Sequence, residues 1–253
     1  SYVLSGAAMN VAYNAGELAV HLQQAEEVSA DKPVVITKFI EGGREIDVDA
    51  VAQDGKVLAH AICEHVENAG VHSGDATLIL PTQSIPEDEL KLVRDTVRKV
   101  AKALKITGPY NMQLIAKDGK IKIIETNVRA SRSFPFSSKT TGVDFIELAT
   151  RAMVGTQEFP DIPEGVKLYD EYDREYAKFP ETYVGCKSPM FSFKRLLGAD
   201  PTLGVEMAST GEVACYGASA EEAFLKSILA TTFPMPKKSV LVSIQEQLRE
   251  DFL

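Results

Sequence analysis

Two Asp-Gly dipeptides, at 54–55 and 118–119, each separate runs in which apolar and polar residues alternate. Asp-Gly accepts positive φ at low cost and is a strong hairpin signal. Before the first dipeptide, Glu45 to Ala52 reads EIDVDAVA, an acid-apolar alternation that predicts a half-buried strand, and Val57 to Val66 supplies its partner. Around the second, Tyr110 to Lys117 and Lys120 to Asn127 read as paired strands. Such hairpins commit the chain to an antiparallel sheet, with the remaining apolar faces left for helices to cover.

Helical signals fall between these strands. Glu17 to Val28 reads as an amphipathic helix. Ser84 and Glu87 are spaced as a capping box with Pro86 in the first turn, and Leu90, Val93, Val97, Val100 and Leu104 then mark one apolar face. Further helices are expected over about Asp144 to Met153 and over Ala220 to Ala230. Ser1 to Met9 is strand-like and runs into small residues. Val34 to Ile40 and Val184 to Phe193 read as strands, and Phe159 to Tyr183 as a long loop. Val240 to Ile244 is a short apolar strand with nothing after it to pack on, which places the chain's end just inside another domain.

Composition narrows the function classes. The 253 residues carry 27 Lys+Arg against 36 Asp+Glu, a net charge of -9, which argues against a general nucleic-acid binder. No apolar run approaches the roughly 20 residues of a membrane span, and no basic-then-apolar leader opens the chain. Cys63, Cys186 and Cys215 are too few and too scattered for a disulfide framework or a thiolate zinc site, which fits a reducing compartment. Cys63 and Cys215 are expected to fill core space.

Two constellations could carry chemistry. Glu125, Asn127 and Arg129 occupy alternate positions of one strand, so they share a face, and Gln113 lies on its hairpin partner. Two amide oxygens and a carboxylate suit Mg²⁺ or Mn²⁺, and an arginine beyond them suits a phosphate. A solvated strand face would look the same in so short a string. The second is Glu64 to Asp75, EHVENAGVHSGD, where Gly70 and Gly74 let backbone amides approach a ligand and His72 could contact a phosphate. A polar turn with structural histidines at 65 and 72 is the alternative. Arg129 and Arg132, followed by Ser137, Ser138 and Lys139, form a basic cluster in an acidic chain, either an anion-capturing patch or an exposed turn. Glu206 to Val213, EMASTGEV, fits a tight loop near a site.

The second hairpin's register decides whether Gln113 can join Glu125. A two-residue Asp118-Gly119 loop pairs Lys117 with Lys120 and Gln113 with Ile124, turning Gln113 away from Glu125. A three-residue loop, Lys117-Asp118-Gly119 with a bulge at Gly119, pairs Gln113 with Ile123 and makes Gln113 and Glu125 diagonal neighbours. A shared cation therefore predicts the three-residue loop.

The strings SYVLSGAAMN, EHVENAGVHSGDATLILPTQ, GPYNMQLIAKDGKIKIIETNVRASRSFPF, SKTTGVDFIELATRAMVG, LGVEMASTGEV and PKKSVLVSI closely resemble carbamoyl-phosphate synthetases, almost end to end. SRSFPF after NVRA, together with STGEV, resembles the second of the large chain's two ATP-grasp halves, the one that phosphorylates carbamate. PKKSVLVSI resembles the junction into the regulatory domain. The resemblance implies a partial ATP-grasp fold of the α+β class, mostly antiparallel sheet with packed helices. It implies an ATP-grasp core over 1–155, a connecting and C-terminal part of the synthetase half over 156–238, and the start of the regulatory domain over 239–253.

The resemblance also implies roles. Lys38, Ile40, Glu45, Gly70, Val71, His72, Ser73, Gln113 and Glu125 would bind ATP, and Gln113, Glu125 and Asn127 would hold Mg²⁺ or Mn²⁺. Glu45, His65, Asn68, Val71 and Ser73 would form a K⁺ site, with Asn68 in place of a longer amide in some relatives. Arg129 and Arg132 would act catalytically on the transferring phosphoryl group. The implied partners are carbamate, the remainder of the large chain and a glutamine amidotransferase subunit or domain, with no nucleic acid and no membrane. The implied compartment is the cytoplasm, with the mitochondrial matrix as alternative. An ATP-binding Arg-Pro pair that precedes Ser-Tyr-Val in the family is absent because the chain opens at Ser1, so the chain alone is expected to bind ATP weakly. The competing functions are a non-catalytic ATP-binding or regulatory module, or another ATP-grasp ligase such as a biotin carboxylase.

Overall fold

The computed structural model describes residues 9–28, 34–155, 183–192, 203–231, 233–244, 246 and 249–252. In chain order the elements are α1 (Ala15–Val28), β1 (Arg44–Gln53), β2 (Lys56–Asn68), β3 (Leu78–Leu80), α2 (Glu87–Leu104), β4 (Gly108–Lys117), β5 (Lys120–Asn127), α3 (Phe134–Thr141), α4 (Phe145–Val154), β6 (Val184–Met190), β7 (Gly211–Gly217), α5 (Ala220–Ala230) and α6 (Arg249–Phe252). The strands form one sheet in the order β5-β4-β1-β2-β3-β6-β7, and each neighbouring pair is antiparallel. The expected α+β architecture holds.

Alternation along β1 sorts its side chains onto two faces. Ile46, Val48, Ala50 and Ala52 point to one face, where Tyr110, Met112 and Leu114 of β4 join Val93, Val97 and Ala101 of α2 in a buried cluster. The other face carries Val51 with Ala59, Ala61, Cys63, Leu78 and Leu80, covered by Phe134, Phe145 and Leu148 of α3 and α4. The Phe134 and Phe145 rings meet edge to face at 5.9 Å. A smaller cluster, with Val184, Cys186 and Ala223, holds α5 against the far end of the sheet. Cys63 is buried as expected, and Cys215 is half-buried.

Both hairpins turn on two residues. Asp54 and Gly55 have φ of 50° and 79°, and Asp118 and Gly119 have φ of 51° and 67°, the positive pair that a type I′ loop requires. Lys117 therefore pairs with Lys120, and the expected three-residue loop is overturned. The ladder is interrupted further on. Leu114 pairs with Ile123, but Gln113 pairs with Glu125, so Ile124 is an extra residue in β5. Twist favoured the two-residue turn, and the bulge sits five residues downstream of where the sequence reading put it. The first hairpin follows the same plan, with Gln53 opposite Lys56 and a register shift between Val51 and Ala52.

Other expectations need correction. Ser84 does not cap α2: its amide and hydroxyl both donate to Glu64 of β2, Pro86 is the N-cap residue without a side-chain cap, and the Glu87 carboxylate pairs with Arg94. Three acids in the first turn, Glu87, Asp88 and Glu89, meet the helix dipole instead. Val34 to Ile40 forms no strand, and Val35 and Ile36 are 72% and 63% exposed. Its β-branched residues have no sheet neighbour among the described residues, and β propensity expresses packing on a neighbour. Val240 to Ile244 is likewise not a strand, with Leu241 96% exposed. Helix α3 and strands β3 and β7 were not anticipated. The expectations for Ser1 to Ala8, for 159–182 and for Phe193 lie outside the described residues.

Candidate functional site

Residues directly opposite each other in an antiparallel ladder share a face. One rung of the sheet therefore runs Glu125, Gln113, Asp47, Cys63 across β5, β4, β1 and β2. The next runs Asn127, Asn111, Asp49, Ala61. The bulge at Ile124 makes this possible, because without it Gln113 would face Ile124. Asn127 donates from Nδ2 to Glu125 Oε1 at 2.7 Å, and Gln113 donates from Nε2 to Ser73 Oγ at 2.6 Å.

Those bonds bear on a cation. Both amides donate their NH₂ to protein partners, so the carbonyl oxygens of Gln113 and Asn127 and the Glu125 carboxylate are the atoms this face offers a hard ion. Among the described residues no group of three His, Cys, Asp or Glu could hold a metal, so the mixed amide-carboxylate set is the candidate. Three protein oxygens suit Mg²⁺, which keeps several waters and takes substrate phosphate oxygens.

The turn from Gly70 to Gly74 is packed against the same region. Gly70 has φ of 113°, and its amide donates to Glu45 Oε2 at 3.3 Å. Burial raises the Glu45 carboxyl, while His65 and the Gly70 amide oppose the rise. The His72 amide donates to Gly204 O at 2.8 Å, and its Nδ1 accepts from the Gly74 amide at 3.0 Å. Burial lowers the His72 pKa, with Asp75 and Glu125 opposing it and Arg132 adding to it. A cleft of about 420 Å³ opens beside the turn, lined by Tyr13, Phe39, Asn68, Gly70, Val71 and Gly204 among others.

Arg132 reaches out of the 128–133 segment to a second loop. Its guanidinium donates to Ser209 Oγ at 3.3 Å and touches Met207 Sδ at 3.1 Å. That loop, the EMASTGEV stretch, is clamped by Asp75, which accepts from the amides of Ala208 and Ser209, both at 2.8 Å. The loop thus docks on Arg132, one of the candidate site residues.

The structure thus groups Ser73, Gln113, Glu125 and Asn127 by contact, joins Glu45 to Gly70, and sets His72 within the field of Glu125 and Arg132. Other candidates stand apart. Lys38 is exposed, and Ile40 is half-buried in the approach to Gly43. Asn68 is exposed at the end of β2, and Val71 half-buried. Arg129 is exposed and donates to Ala130 O at 3.2 Å. His65 has a buried side chain whose two ring nitrogens lack hydrogen-bond partners, with Nε2 3.9 Å from Asp47 Oδ2. The basic cluster is divided: Lys139 is exposed, whereas Ser137 is buried and donates to Asp49 Oδ2 at 2.7 Å.

Asp47, Asp49, Asn111, Ser131, Ser133 and Asp75 were missed. Asn111 Nδ2 bonds both Asp47 and Asp49, and Asp49 also accepts from Ser131, Ser133 and Ser137. Burial, then the Asp47 charge, raises the Asp49 carboxyl above the usual range. The acid alternation of EIDVDAVA was the available signal. Its acids are buried, and Asp49 meets α3, where a half-buried strand would have turned them to water.

The family model described as carbamoyl-phosphate synthase L chain, ATP binding domain, matches residues 1–158. The chain belongs to this family. It is 58% identical over 244 residues to the multifunctional protein URA2 of Saccharomyces cerevisiae, covering 96% of the chain and 10% of that relative. It is 52% identical over 253 residues to the human mitochondrial carbamoyl-phosphate synthase [ammonia], covering all of the chain and 16% of that relative. The chain therefore spans a small part of the synthase relatives it matches. A biotin carboxylase complex from Campylobacter jejuni shares the fold at a TM-score of 0.55 and 18% identity, over 74% of this chain and 40% of that one. An L-amino acid ligase from Bacillus licheniformis does so at 0.55 and 18%, over 85% and 59%. These likenesses give the synthase segment its ATP-grasp fold and carry nothing about its substrate.

Proposed function

We propose that this segment belongs to a carbamoyl-phosphate synthase in which it phosphorylates carbamate with ATP, giving carbamoyl phosphate and ADP. The observation that carries the reading is the common face of Gln113, Glu125 and Asn127, closed by Ser73 at the end of a glycine-bearing turn. Phosphoryl transfer needs positioning and charge neutralisation more than a protein nucleophile. A divalent cation bound at these three residues would neutralise charge between the β- and γ-phosphates. Gln113 and Asn127 present oxygens, and Glu125 supplies the charge. In the Gly70–Gly74 turn the amides of Gly70, His72 and Gly74 are already donated within the protein, so those of Val71 and Ser73 would meet phosphates, with the His72 side chain beside the nucleotide and Lys38 and Ile40 near its base. Arg132, and Arg129 once it turns from Ala130, would offset charge on the transferring group. Carbamate decomposes in water, so the site must exclude solvent and receive it from elsewhere in the protein.

A K⁺ ion is part of the same reading. The buried carboxylate of Glu45 beside a turn rich in backbone oxygens suits a monovalent cation held by Glu45, His65, Asn68, Val71 and Ser73. The division into a core over 1–155, a completing part over 156–238 and a regulatory start over 239–253 belongs to it too; β6 and β7 extend the core sheet, which supports treating 1–238 as one synthetase half. The partners are the rest of the large chain and a glutamine amidotransferase subunit or domain. No helix among the described residues is long and apolar enough to cross a membrane. The compartment is the cytoplasm, with the mitochondrial matrix as the alternative that the human relative's name suggests.

The test is Glu125→Gln in the full-length synthase, read as carbamoyl-phosphate-dependent synthesis of ATP from ADP. Removing the only charge in the set should lower metal-dependent turnover by on the order of 100-fold with the fold intact. Undiminished turnover would sink the assignment.

A further inference from the structure

We propose that Asp49 is a positioning residue for phosphoryl transfer, holding the arginine-bearing segment through the hydroxyls of Ser131, Ser133 and Ser137. The inference rests on the function proposed above. Asp49 sits on β1 with 1% of its surface exposed. Oδ1 accepts from Ser131 Oγ at 2.5 Å and Asn111 Nδ2 at 3.0 Å, and Oδ2 from Ser133 Oγ at 2.8 Å and Ser137 Oγ at 2.7 Å. Ser131 and Ser133 are the residues on either side of Arg132. Two of the three hydroxyls therefore fix the backbone from which that guanidinium projects.

An ordinary helix cap does not account for this pattern. Ser133 is the N-cap residue of α3, yet it makes no side-chain cap bond and gives its hydroxyl to Asp49. Ser131 lies before the helix and donates its hydroxyl to Asp49, with its Oγ 2.8 Å from Ser133 Oγ. All four donors on Asp49 are side chains, so the carboxylate gathers a loop and a helix start onto the sheet. Its place below the α3 N-terminus also favours negative charge. Arg132 is then held at both ends: at its base by Asp49, and at its tip by Ser209 in the loop that Asp75 clamps. Asp49 meets no reacting atom and acts through Arg132.

The experiment uses the full-length synthase and compares Asp49→Asn, Ser131→Ala and Ser131→Thr, with Glu125→Gln as control, in ATP synthesis from carbamoyl phosphate and ADP. Losing a loop anchor misplaces the arginine, and small displacements of a positioned group cost roughly 10- to 100-fold. Asp49→Asn and Ser131→Ala should lower kcat by at least about 10-fold with the KM for ADP within about twofold. Ser131→Thr, which keeps the hydroxyl, should recover kcat to within about threefold of wild type. Ser131 is half-buried, so its single-hydroxyl variants keep the test available if Asp49→Asn fails to fold. A lowered melting temperature with unchanged kcat, or a threonine variant as slow as the alanine one, would overturn the inference while Glu125→Gln still lowers turnover by on the order of 100-fold. Full turnover in Glu125→Gln would remove the functional reading, and this inference with it.

Discussion

Asp75 offers a quantitative test of how the arginine's second support is built. Its carboxylate is fully buried and accepts from two consecutive amides, Ala208 and Ser209, both at 2.8 Å. Asp75→Asn preserves shape but replaces one acceptor oxygen with an NH₂ group that faces an N–H donor. A hydrogen bond to a charged group contributes about 1.5–3 kcal/mol, and a buried N–H left without an acceptor costs a further 1–3 kcal/mol. The Ser209 hydroxyl still holds Gly74 O at 3.0 Å, so part of the docking survives, and a net loss of about 3 kcal/mol is expected. Since about 1.4 kcal/mol is a factor of ten, the two amides should lose roughly 100-fold in protection from hydrogen exchange. Residue-resolved exchange on wild type and variant gives the number directly, with the β1–β4 ladder as internal reference. Protection at Ala208 and Ser209 within about threefold of wild type would refute the clamp, and with it the claim that Asp75 supports Arg132 through Ser209.

Deleting Ile124, the half-exposed bulge residue, leaves Gln113 opposite Glu125. Cation-dependent turnover should stay within about fivefold, whereas deleting Thr126 sets Asn127 opposite Met112 on the α2 face and should reduce it to background; a Mg²⁺ titration of ATP synthesis by each variant checks both. His60 lies beside Arg94 and Arg98, and burial followed by those two cations pushes its pKa down to about 3. The unfolded chain gains a proton near pH 6.5 that the folded chain refuses until about pH 3, so stability is lost as pH falls through that window. For a half-buried ring the loss by pH 5 should be about 1–2 kcal/mol, read from exchange free energies of β2 amides at pH 7 and pH 5, and His60→Gln should abolish it.

Much of the fold was legible because its signals are local. Asp54-Gly55 set its turn through the φ preferences of two residues, as did Asp118-Gly119 against the three-residue loop that a shared cation predicted, and the stripe of Leu90, Val93, Val97 and Val100 set α2 through its period, with Leu104 beyond it 57% exposed. The failures are those where a distant partner decides. Ser84 has cap chemistry in the sequence, but the Glu64 carboxylate of β2 takes both its amide and its hydroxyl. The strand at Val34–Ile40 had the right residues and no described neighbour to pair with. FPFSSKTT was not seen as a helix because five of its eight residues, Phe134, Phe136, Ser137, Thr140 and Thr141, are buried by tertiary packing, three of them polar, which its own apolar pattern does not reveal.

The candidate site shows the same division at finer grain. Gln113, Glu125 and Asn127 were recognisable by residue type and spacing, but their common face depends on a bulge, and one extra residue reverses every facing beyond it. The two-residue turn taken alone would have separated Gln113 from Glu125, and the three-residue turn would have left them diagonal. Ile124 brings them directly opposite. Half of Ile124's surface is exposed, so burial gives it no reason to sit there, and its effect is to set the facing of the residues that follow. The acids of β1 were hidden differently. Alternation predicted that Glu45, Asp47 and Asp49 face water, yet they are 6%, 4% and 1% exposed. Burying three carboxylates on one strand is costly unless each is met by donors or cations. Asn111 and three serines meet Asp49, while Glu45 meets one amide and the ring of His65 stays without a hydrogen-bond partner. The donor supply thus falls along β1 from Asp49 to Glu45, toward the end where the glycine turn lies. A cation bound beside Glu45 would complete that strand's electrostatics, so saturating K⁺ should raise the protection of Gly70 and Ser73 amides above that in an equal concentration of Na⁺; equal protection in both salts would refute a K⁺ site here.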